Sequence, residues 1–134
     1  TFRMVAGDLL FKLPSDRILS FPEAQLRQGD RNTEIIYKGM NNHTHRWGEI
    51  KAYGGSLVQS ITQAVARDIL AEAILRLESA KYSVVLHVHD EIVADVPKGH
   101  GSLAEFEKLM CVLPQWAEGM PVEAEGYESN RYRK

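Results

Sequence analysis

Three ionisable residues, His89, Asp90 and Glu91, are all that separates two apolar runs at positions 82–88 and 92–96. Both runs are rich in β-branched residues, which predicts two buried strands joined by a tight turn. Such turns usually contain Gly or Asn, so ionisable residues there need a chemical reason. Adjacent carboxylates at a rigid turn can bind a hard cation such as Mg²⁺ together with phosphate oxygens, which suits phosphoryl transfer.

The histidines permit a different chemistry. His87 and His89 lie two apart, as the ligands of an H-x-H zinc or iron hydrolase do, and His43 and His45 repeat that spacing in a polar segment. Such a site needs further ligands, and nothing in the sequence brings the two pairs together. For His87 alone, inside an apolar run, the pattern favours a core histidine with satisfied hydrogen bonds. The hydrolase therefore ranks below phosphoryl transfer.

Length and composition predict one folded domain. The chain has 134 residues, of which 44% are hydrophobic, and its single cysteine, Cys111, excludes an internal disulfide. No apolar run approaches the ~20 residues of a membrane span, so we expect a soluble cytoplasmic protein. The formal net charge of -2 gives no global signature of nucleic-acid binding, although basic residues are concentrated locally. These residues are Arg27, Arg31, Lys38, His43, His45, Arg46 and Lys51, followed by Arg131, Arg133 and Lys134.

The elements that must position these residues begin with a β-rich region over positions 1–53. Short apolar runs separated by Gly, Pro, Ser and Asp predict antiparallel strands, with a hairpin at Gly7 and Asp8. Strands are predicted over 2–5, 9–13, 17–21, 34–38 and 47–53, with turns over 14–16 and 28–32 and a polar loop over 39–45.

A long helix is predicted over residues 56–79, because apolar residues recur along one face and no Gly or Pro interrupts them. Gln59, Gln63 and Arg67 fall four apart opposite that face and form a polar row. Periodicity alone favours a solvent-exposed row over one that contacts a ligand. The apolar face comprises Leu57, Ile61, Ala64, Ile69, Ala73 and Leu77.

The C-terminal part continues with the hairpin over 82–97 and a second helix. Ser102 and Glu105 form a capping box that predicts a helix from about 102 to 111. Pro114 interrupts it, positions 115–118 add one more turn, and a final strand over 121–124 leads into a polar, basic tail. This order of elements predicts an α+β fold with a long helix packed beside the hairpin.

The hairpin string V-V-L-H-V-H-D-E-I-V at 84–93 resembles the third signature motif of family A DNA polymerases. Y-G-G-S-L-V at 53–58, Q-A at 63–64 and A-R-D at 66–68 are similar to a helix of the phage-type branch. L-P-S-D-R at 13–17 resembles its L-P-S-G-R turn, and E-G at 125–126 and R-Y-R-K at 131–134 resemble its C-terminus. Because these matches are co-linear through essentially the whole chain, the resemblance is specific. It implies the antiparallel β palm subdomain of a polymerase.

The resemblance also implies roles for individual residues. Asp90 corresponds to a catalytic metal ligand, Glu91 to an auxiliary carboxylate beside it, and His89 to a contact with the primer terminus. Gln63 corresponds to a contact in the duplex minor groove, which favours a DNA-facing role for its whole row. The implied cofactor is Mg²⁺, and the implied partners are primer–template DNA and a dNTP. The expected DNA-binding residues are therefore His89, Gln63, Gln59 and Arg67.

The sequence departs from the family pattern in two places and lacks two of its motifs. Gln59 and Ser60 stand where the family has Glu-Asn, which affects a template-strand contact, and Asp16 stands where it has Gly. The first palm motif, D-Y-S-x-I-E, and the fingers helix do not occur. Without a second carboxylate and a phosphate-binding cation, we expect the isolated chain not to polymerise. The other acidic candidates, Asp8, Asp16, Asp30 and Asp95, lie in sequence unlike the missing motif.

These expectations describe a palm segment that takes part in template-directed nucleotidyl transfer in DNA replication when an N-terminal polymerase portion completes it. The alternative is a non-catalytic, DNA-binding prophage remnant, and the H-x-H hydrolase comes third. Surfaces that would face the missing portion are expected to be exposed, and an apolar one would favour a homo-oligomer.

Overall fold

The computed structural model describes residues 1–29 and 33–132. Over these ranges the chain forms eight strands, two α-helices and a 3₁₀ helix, and every strand pair is antiparallel. This architecture confirms the predicted α+β class with antiparallel sheets. The chain divides into two compact units, Thr1–Val65 and Ala66–Lys134. Four residues singled out above lie outside the described ranges, namely Asp30, Arg31, Arg133 and Lys134.

The first sheet contains β1 (Phe2–Val5), β2 (Asp8–Lys12) and β3 (Ile18–Phe21) in sequence order. Ala6 and Gly7 form the two-residue turn between the first two strands, with φ of 51° and 93°. Positive φ at both central residues is the signature of a type I′ turn, whose twist matches that of the flanking strands. The predicted hairpin is confirmed, with its turn one residue earlier.

Asp16 occupies the turn where the resembled family has Gly. Its φ is +67°, a left-handed conformation that Asp tolerates better than most side chains do. The turn is closed by the amide of Leu13 donating to the carbonyl of Arg17 at 2.8 Å. The Asp16 carboxylate lies 2.6 Å from the ammonium group of Lys12. Asp16 therefore adopts a backbone conformation that Gly also adopts readily.

The second sheet contains β4 (Gln25–Gln28), β5 (Thr33–Met40) and β6 (Trp47–Ala52) in sequence order. β4 was not predicted, because all four of its side chains are exposed and show no alternation of polar and apolar residues. Gln28, predicted to begin a turn, instead pairs with the first residue of β5. β5 also extends beyond Gly39, where the polar loop was predicted to begin.

The long helix α1 spans Gly54–Ser79, two residues longer at its start than predicted. Its first turn is fixed by Ser56, whose hydroxyl accepts a hydrogen bond from the Tyr53 amide at 2.9 Å and donates to the Tyr53 carbonyl at 2.8 Å. The predicted apolar face is confirmed, and the three members of the polar row are exposed. On the apolar face Leu57, Ile69, Ala73 and Leu77 are buried, while Ile61 and Ala64 are half-buried.

The core of the first unit joins both sheets to the start of α1. Phe21, Ala52 and Leu57 form a buried cluster. The Phe21 ring meets the ring of Tyr37 edge-on, with centroids 5.2 Å apart. Part of one face of each sheet is thereby withdrawn from water, while the edge strands remain exposed. The half-buried side chains packed against this cluster are Leu9, Leu19, Ile35 and Tyr37.

The second unit contains most of α1, followed by β7 (Ser83–Val88), β8 (Glu91–Asp95) and α2 (Leu103–Cys111). The predicted cap of α2 is confirmed, since the Ser102 hydroxyl accepts from the Glu105 amide at 3.2 Å. A 3₁₀ helix over Gln115–Ala117 follows, where one further turn was predicted.

The strand predicted over residues 121–124 is wrong. A strand requires a ladder of backbone hydrogen bonds, and Pro121 lacks an amide proton. No such ladder joins this segment to a strand in the described part of the chain. The tail is attached through a side chain instead, because the Gly126 amide donates to a Glu107 carboxylate oxygen at 2.8 Å.

Neither helix in the described ranges is both long enough and apolar enough to cross a membrane.

We expect Leu77→Ala to lower the free energy of unfolding by about 2–5 kcal/mol, because its side chain is 0% exposed and truncation leaves a cavity. Leu75, on the same helix, is 64% exposed, so Leu75→Ala is the matched control and should change stability by less than about 0.5 kcal/mol. Urea denaturation followed by circular dichroism measures both. Equal losses in the two variants would contradict the described packing of α1.

Candidate active site at the hairpin turn

The turn between β7 and β8 contains only two residues, His89 and Asp90. Val88 pairs directly with Glu91, so Glu91 is the first residue of β8 and not a turn residue as predicted. His89 has a φ of +53°, which is unfavourable for a residue with a Cβ atom. His89, Asp90 and Glu91 are all exposed. A short, tightly paired turn thus presents two neighbouring carboxylates to solvent.

The flanking strands are not buried, which corrects the prediction from their apolar runs. Val85 is 60% exposed and Leu86 is 42% exposed, and a bulge between Val84 and Leu86 leaves Val85 without a pairing partner. Within the described chain these strands form a sheet of only two members, which cannot bury both of its faces. Bulges of this kind are common beside functional sites.

The two histidines of the H-x-H pattern do not share a strand face. His87 is opposite Ile92 in the ladder, whereas His89 lies in the turn, where the period of two no longer applies. His87 is exposed, so its interpretation as a core histidine is wrong. Within residues 1–29 and 33–132, no group of three or more His, Cys, Asp or Glu side chains is arranged to hold a metal ion. The further ligands that a hydrolase site needs are therefore not found there.

The base of the hairpin is set by the end of α1. The amide of Tyr82 donates to the carbonyl of Leu77 at 3.0 Å, and the amide of Lys81 donates to the carbonyl of Glu78 at 3.0 Å. These two bonds form a Schellman motif, in which Lys81 takes the left-handed position with a φ of +68°. The Glu78 side chain then accepts from the Val84 amide at 2.6 Å, which fixes where β7 begins.

Tyr82 anchors this base to α2. Its side chain is only 3% exposed, its hydroxyl donates to the Glu105 carboxylate at 2.8 Å, and the same oxygen accepts from the Ser102 amide at 3.2 Å. Burial first, and then the hydrogen bond to Glu105, raise the pKa of the Tyr82 phenol. A Cβ atom at Gly101, where φ is +60°, would overlap this hydroxyl. His100 and Phe106 pack edge-on against the Tyr82 ring.

The C-terminal tail returns to the candidate site. The hydroxyl of Tyr132 donates to a carboxylate oxygen of Glu91 at 3.2 Å. The pKa of Tyr132 is raised by partial removal of its hydroxyl from water and then by the negative charge of Glu91. Together with β8 and α2, the tail lines an open groove that has Asp90 and Glu91 among its lining residues. Tyr132 therefore restrains one of the two carboxylates.

The other acidic residues considered as metal ligands in the sequence have different surroundings in the described chain. Asp8 accepts from the Glu23 amide at 3.0 Å, and Asp16 pairs with Lys12. Asp95 pairs with Ser83 at the end of the hairpin opposite the turn. Asp95 is therefore not a second carboxylate beside Asp90.

The sequence interpretation missed the residues that hold the hairpin in place. Tyr82 was assigned to the first apolar run, and its hydrogen-bonding hydroxyl gave no signal in the pattern. The end of the helix at Ser79 was predicted, but the Schellman motif after it was not, because Lys81 stands where Gly is the usual residue. The contact from Tyr132 to Glu91 joins residues 41 positions apart and has no periodic signature. Only Ser102 and Glu105 had a recognisable local motif.

We expect Tyr82→Phe to lower the urea midpoint at neutral pH, because it leaves the Ser102 amide and the Glu105 carboxylate without this partner. Since the folded-state pKa of Tyr82 is raised, its contribution to stability is complete below about pH 10 and is lost as pH rises through the folded-state pKa. The variant should therefore lose less stability than wild type does above pH 10. Tyr53→Phe, at a 72% exposed position, is the control. Identical midpoints for wild type and Tyr82→Phe at neutral pH would refute this role.

His89→Gly should raise the free energy of unfolding by about 0.5–1 kcal/mol, because Gly adopts a φ of +53° without steric cost and this gain exceeds its extra unfolded-state entropy. His87→Gly, inside β7, should lower it by a similar amount. Thermal and urea denaturation of the two variants provide the comparison. Destabilisation by His89→Gly would show that this turn does not have the left-handed conformation.

The chain is 40% identical over 136 aligned residues to a DNA polymerase of Bacillus phage SP02, and the alignment covers 100% of this chain and 21% of that protein. The chain thus spans about a fifth of the length of the curated relative it matches. No protein-family model and no solved structure matches the chain.

Proposed function

We propose that this chain is a palm segment of a family A DNA polymerase and that its hairpin turn supplies carboxylates for nucleotidyl transfer to a primer 3′ end. The observation that carries this proposal is the two-residue turn, which exposes Asp90 and places Glu91 at the first position of β8. The alignment of this whole chain with about a fifth of a phage DNA polymerase supports the same assignment.

The donor set at the turn is suitable for Mg²⁺, which binds through one or two carboxylates and takes its remaining ligands from water and substrate phosphates. Asp90 would hold the ion, with Glu91 as the auxiliary carboxylate. When bound, Mg²⁺ would neutralise the charge that develops on the reacting phosphate oxygens. In this proposal Tyr132 orients Glu91 through their hydrogen bond, and the neighbouring His89 contacts the primer terminus.

The polar row of α1 is proposed as a DNA contact. Gln59, Gln63 and Arg67 are exposed and lie one helical turn apart, at a spacing of about 6 Å along the axis. Gln side chains can donate to the acceptors of the minor groove, which both A·T and G·C pairs present, so this contact would not depend on sequence. Arg67 adds a positive charge that favours phosphate. The row thus suits duplex binding without base selection.

We further propose that the chain needs additional polypeptide for activity. Two-metal phosphoryl transfer uses carboxylates from more than one segment, and the described residues provide only the hairpin pair. The first palm motif and the fingers helix would come from a separate N-terminal portion. Several large apolar side chains of the second unit are exposed, which supports packing against such a portion or a second copy. They include Leu75, Val85, Leu86, Val112 and Met120.

The test is a chimera in which this chain replaces the aligned segment of the Bacillus phage SP02 DNA polymerase. We expect the chimera to extend a labelled primer with Mg²⁺ and all four dNTPs. Asp90→Ala in the chimera should reduce extension by at least about 1,000-fold, because it removes a metal ligand needed to stabilise transition-state charge. The isolated chain should show no extension.

His87→Ala in the same chimera is the matched control, since His87 is exposed on the adjacent strand and has no role in the proposal. It should retain activity within about a factor of three of the unsubstituted chimera. A fully active Asp90→Ala chimera would refute the proposed role of the hairpin. A folded but inactive unsubstituted chimera would refute the assignment of this chain as an equivalent polymerase segment.

A further inference from the structure

The outer face of the second sheet presents an aromatic side chain to solvent. Successive residues of a strand point to opposite faces, and Tyr37 and Ala52 belong to the face that packs on the core. Met40 and Trp47, which pair across β5 and β6, therefore point away from that core. Trp47 is 62% exposed and Met40 is 52% exposed. An indole in this position offers a flat surface that no described part of the fold uses.

The loop next to Trp47 satisfies its own backbone. The Asn41 amide donates to the Arg46 carbonyl at 2.9 Å, and the His45 amide donates to the Asn41 carbonyl at 2.8 Å. The Asn41 side-chain oxygen accepts from the amides of His43 at 2.9 Å and Thr44 at 3.0 Å. Because these bonds hold the backbone, the exposed side chains of His43, His45 and Arg46 are displayed from an ordered loop.

Charge is distributed unevenly along this sheet. On the strands, Arg27 makes a bidentate pair with Glu49 at 3.1 Å, and Lys51 lies 3.0 Å from Glu34. The loop end has no such compensation, since positions 35–48 contain no Asp or Glu. No ion pair involves Arg46 within the described residues. Arg27 and Lys51 are thus paired with carboxylates on the strands, whereas the positive charge of Arg46 remains uncompensated at the loop end of the described chain.

We propose that Met40–Trp47, which we call the tip surface, binds single-stranded DNA. One base would stack on Trp47 while Arg46 contacts a backbone phosphate. Exposed aromatic residues bind bases whatever their sequence, and nearby positive charge binds the backbone between them. Duplex DNA would contact only the charged side chains, because its bases are already stacked on one another and cannot stack on Trp47. The choice of DNA over RNA rests on the proposed function, whereas the surface acts independently of Asp90.

Binding is measured by fluorescence anisotropy of a labelled 12-nucleotide oligothymidine at several salt concentrations. Trp47→Ala should weaken binding by about 5-fold to 100-fold, the range expected for the loss of one stacked base. Trp47→Phe keeps an aromatic face and should recover most of the affinity. Arg46→Ala should weaken binding and reduce the slope of log affinity against log salt by about 0.7, as expected for the loss of one phosphate contact with a single strand.

Arg3→Ala is the matched charge control, because Arg3 is an exposed residue of β1 in the same unit. It should leave both the affinity and the salt slope of wild type essentially unchanged. The proposal is overturned if wild type does not bind the oligonucleotide at low salt, if Trp47→Ala binds as tightly as wild type, or if Arg3→Ala and Arg46→Ala lose affinity equally. Circular dichroism of each variant shows that the fold is retained.

The outcome is separable from that of the proposed function. His87→Ala should bind the oligonucleotide as wild type does, because the tip surface does not use the hairpin. Loss of extension in the Asp90→Ala chimera together with unchanged binding by Trp47→Ala would refute this inference and leave the proposed function intact. If Trp47→Ala weakens binding and the Asp90→Ala chimera is fully active, the proposed role of the hairpin is refuted and this inference stands.

Discussion

The buried hydroxyl of Tyr82 connects three elements that meet at the base of the hairpin. The Schellman turn carries the chain from the end of α1 at Ser79 to this residue, and β7 begins at the next position. Its oxygen then binds both the Ser102 amide and the Glu105 side chain at the start of α2. A phenol this deeply buried is stable only when its hydroxyl is hydrogen-bonded, so the position of α2 and the start of the hairpin are fixed together.

The turn at the opposite end of the hairpin is exposed to solvent, unlike the buried base. Asp90 and Glu91 are exposed, and the backbone there includes an unfavourable conformation at His89. Strained conformations persist where the surrounding structure determines them, and here the paired strands leave only two residues to close the turn. Rigidity comes from the turn and from the Tyr132 contact, whereas reactivity depends on what binds to the exposed carboxylates. In the proposed function, the two carboxylates would bind a metal ion whose remaining ligands come from water and substrate phosphates.

The parts of the fold that could be predicted from sequence are those with a local or periodic signal. The long helix follows from apolar residues repeated over about six turns, and the cap of α2 follows from Ser102 and Glu105. The location of the hairpin was likewise evident from two β-branched runs. Its burial was not, because an apolar run does not reveal how many strands the sheet contains. The sequence could not show the Tyr132 contact either, since that contact depends on how the tail folds back.

The remaining errors have the same origin. β4 is an exposed edge strand without alternation, so nothing distinguished it from a loop. Residues 121–124 contain one β-branched residue, Val122, and have no ladder to join within the described chain. In both cases the deciding factor was the presence or absence of a neighbouring strand, and single-residue preferences contain no information about it. Candidate chemistry was easier to locate, because an Asp and a Glu between two apolar runs are unusual in themselves.

Gly101 has a consequence for how mutational tolerance should be interpreted in this chain. Every other residue would bring a Cβ atom into the Tyr82 hydroxyl, so position 101 should be as intolerant of substitution as position 90. The causes would differ, because a change at 101 would disturb folding whereas, under the proposed function, a change at 90 would remove a metal ligand from an intact scaffold. A map of inactivating substitutions would therefore contain two overlapping classes of invariant positions in the second unit. Protein abundance would separate them, since variants of the folding class would be depleted in cells while variants of the other class would accumulate normally.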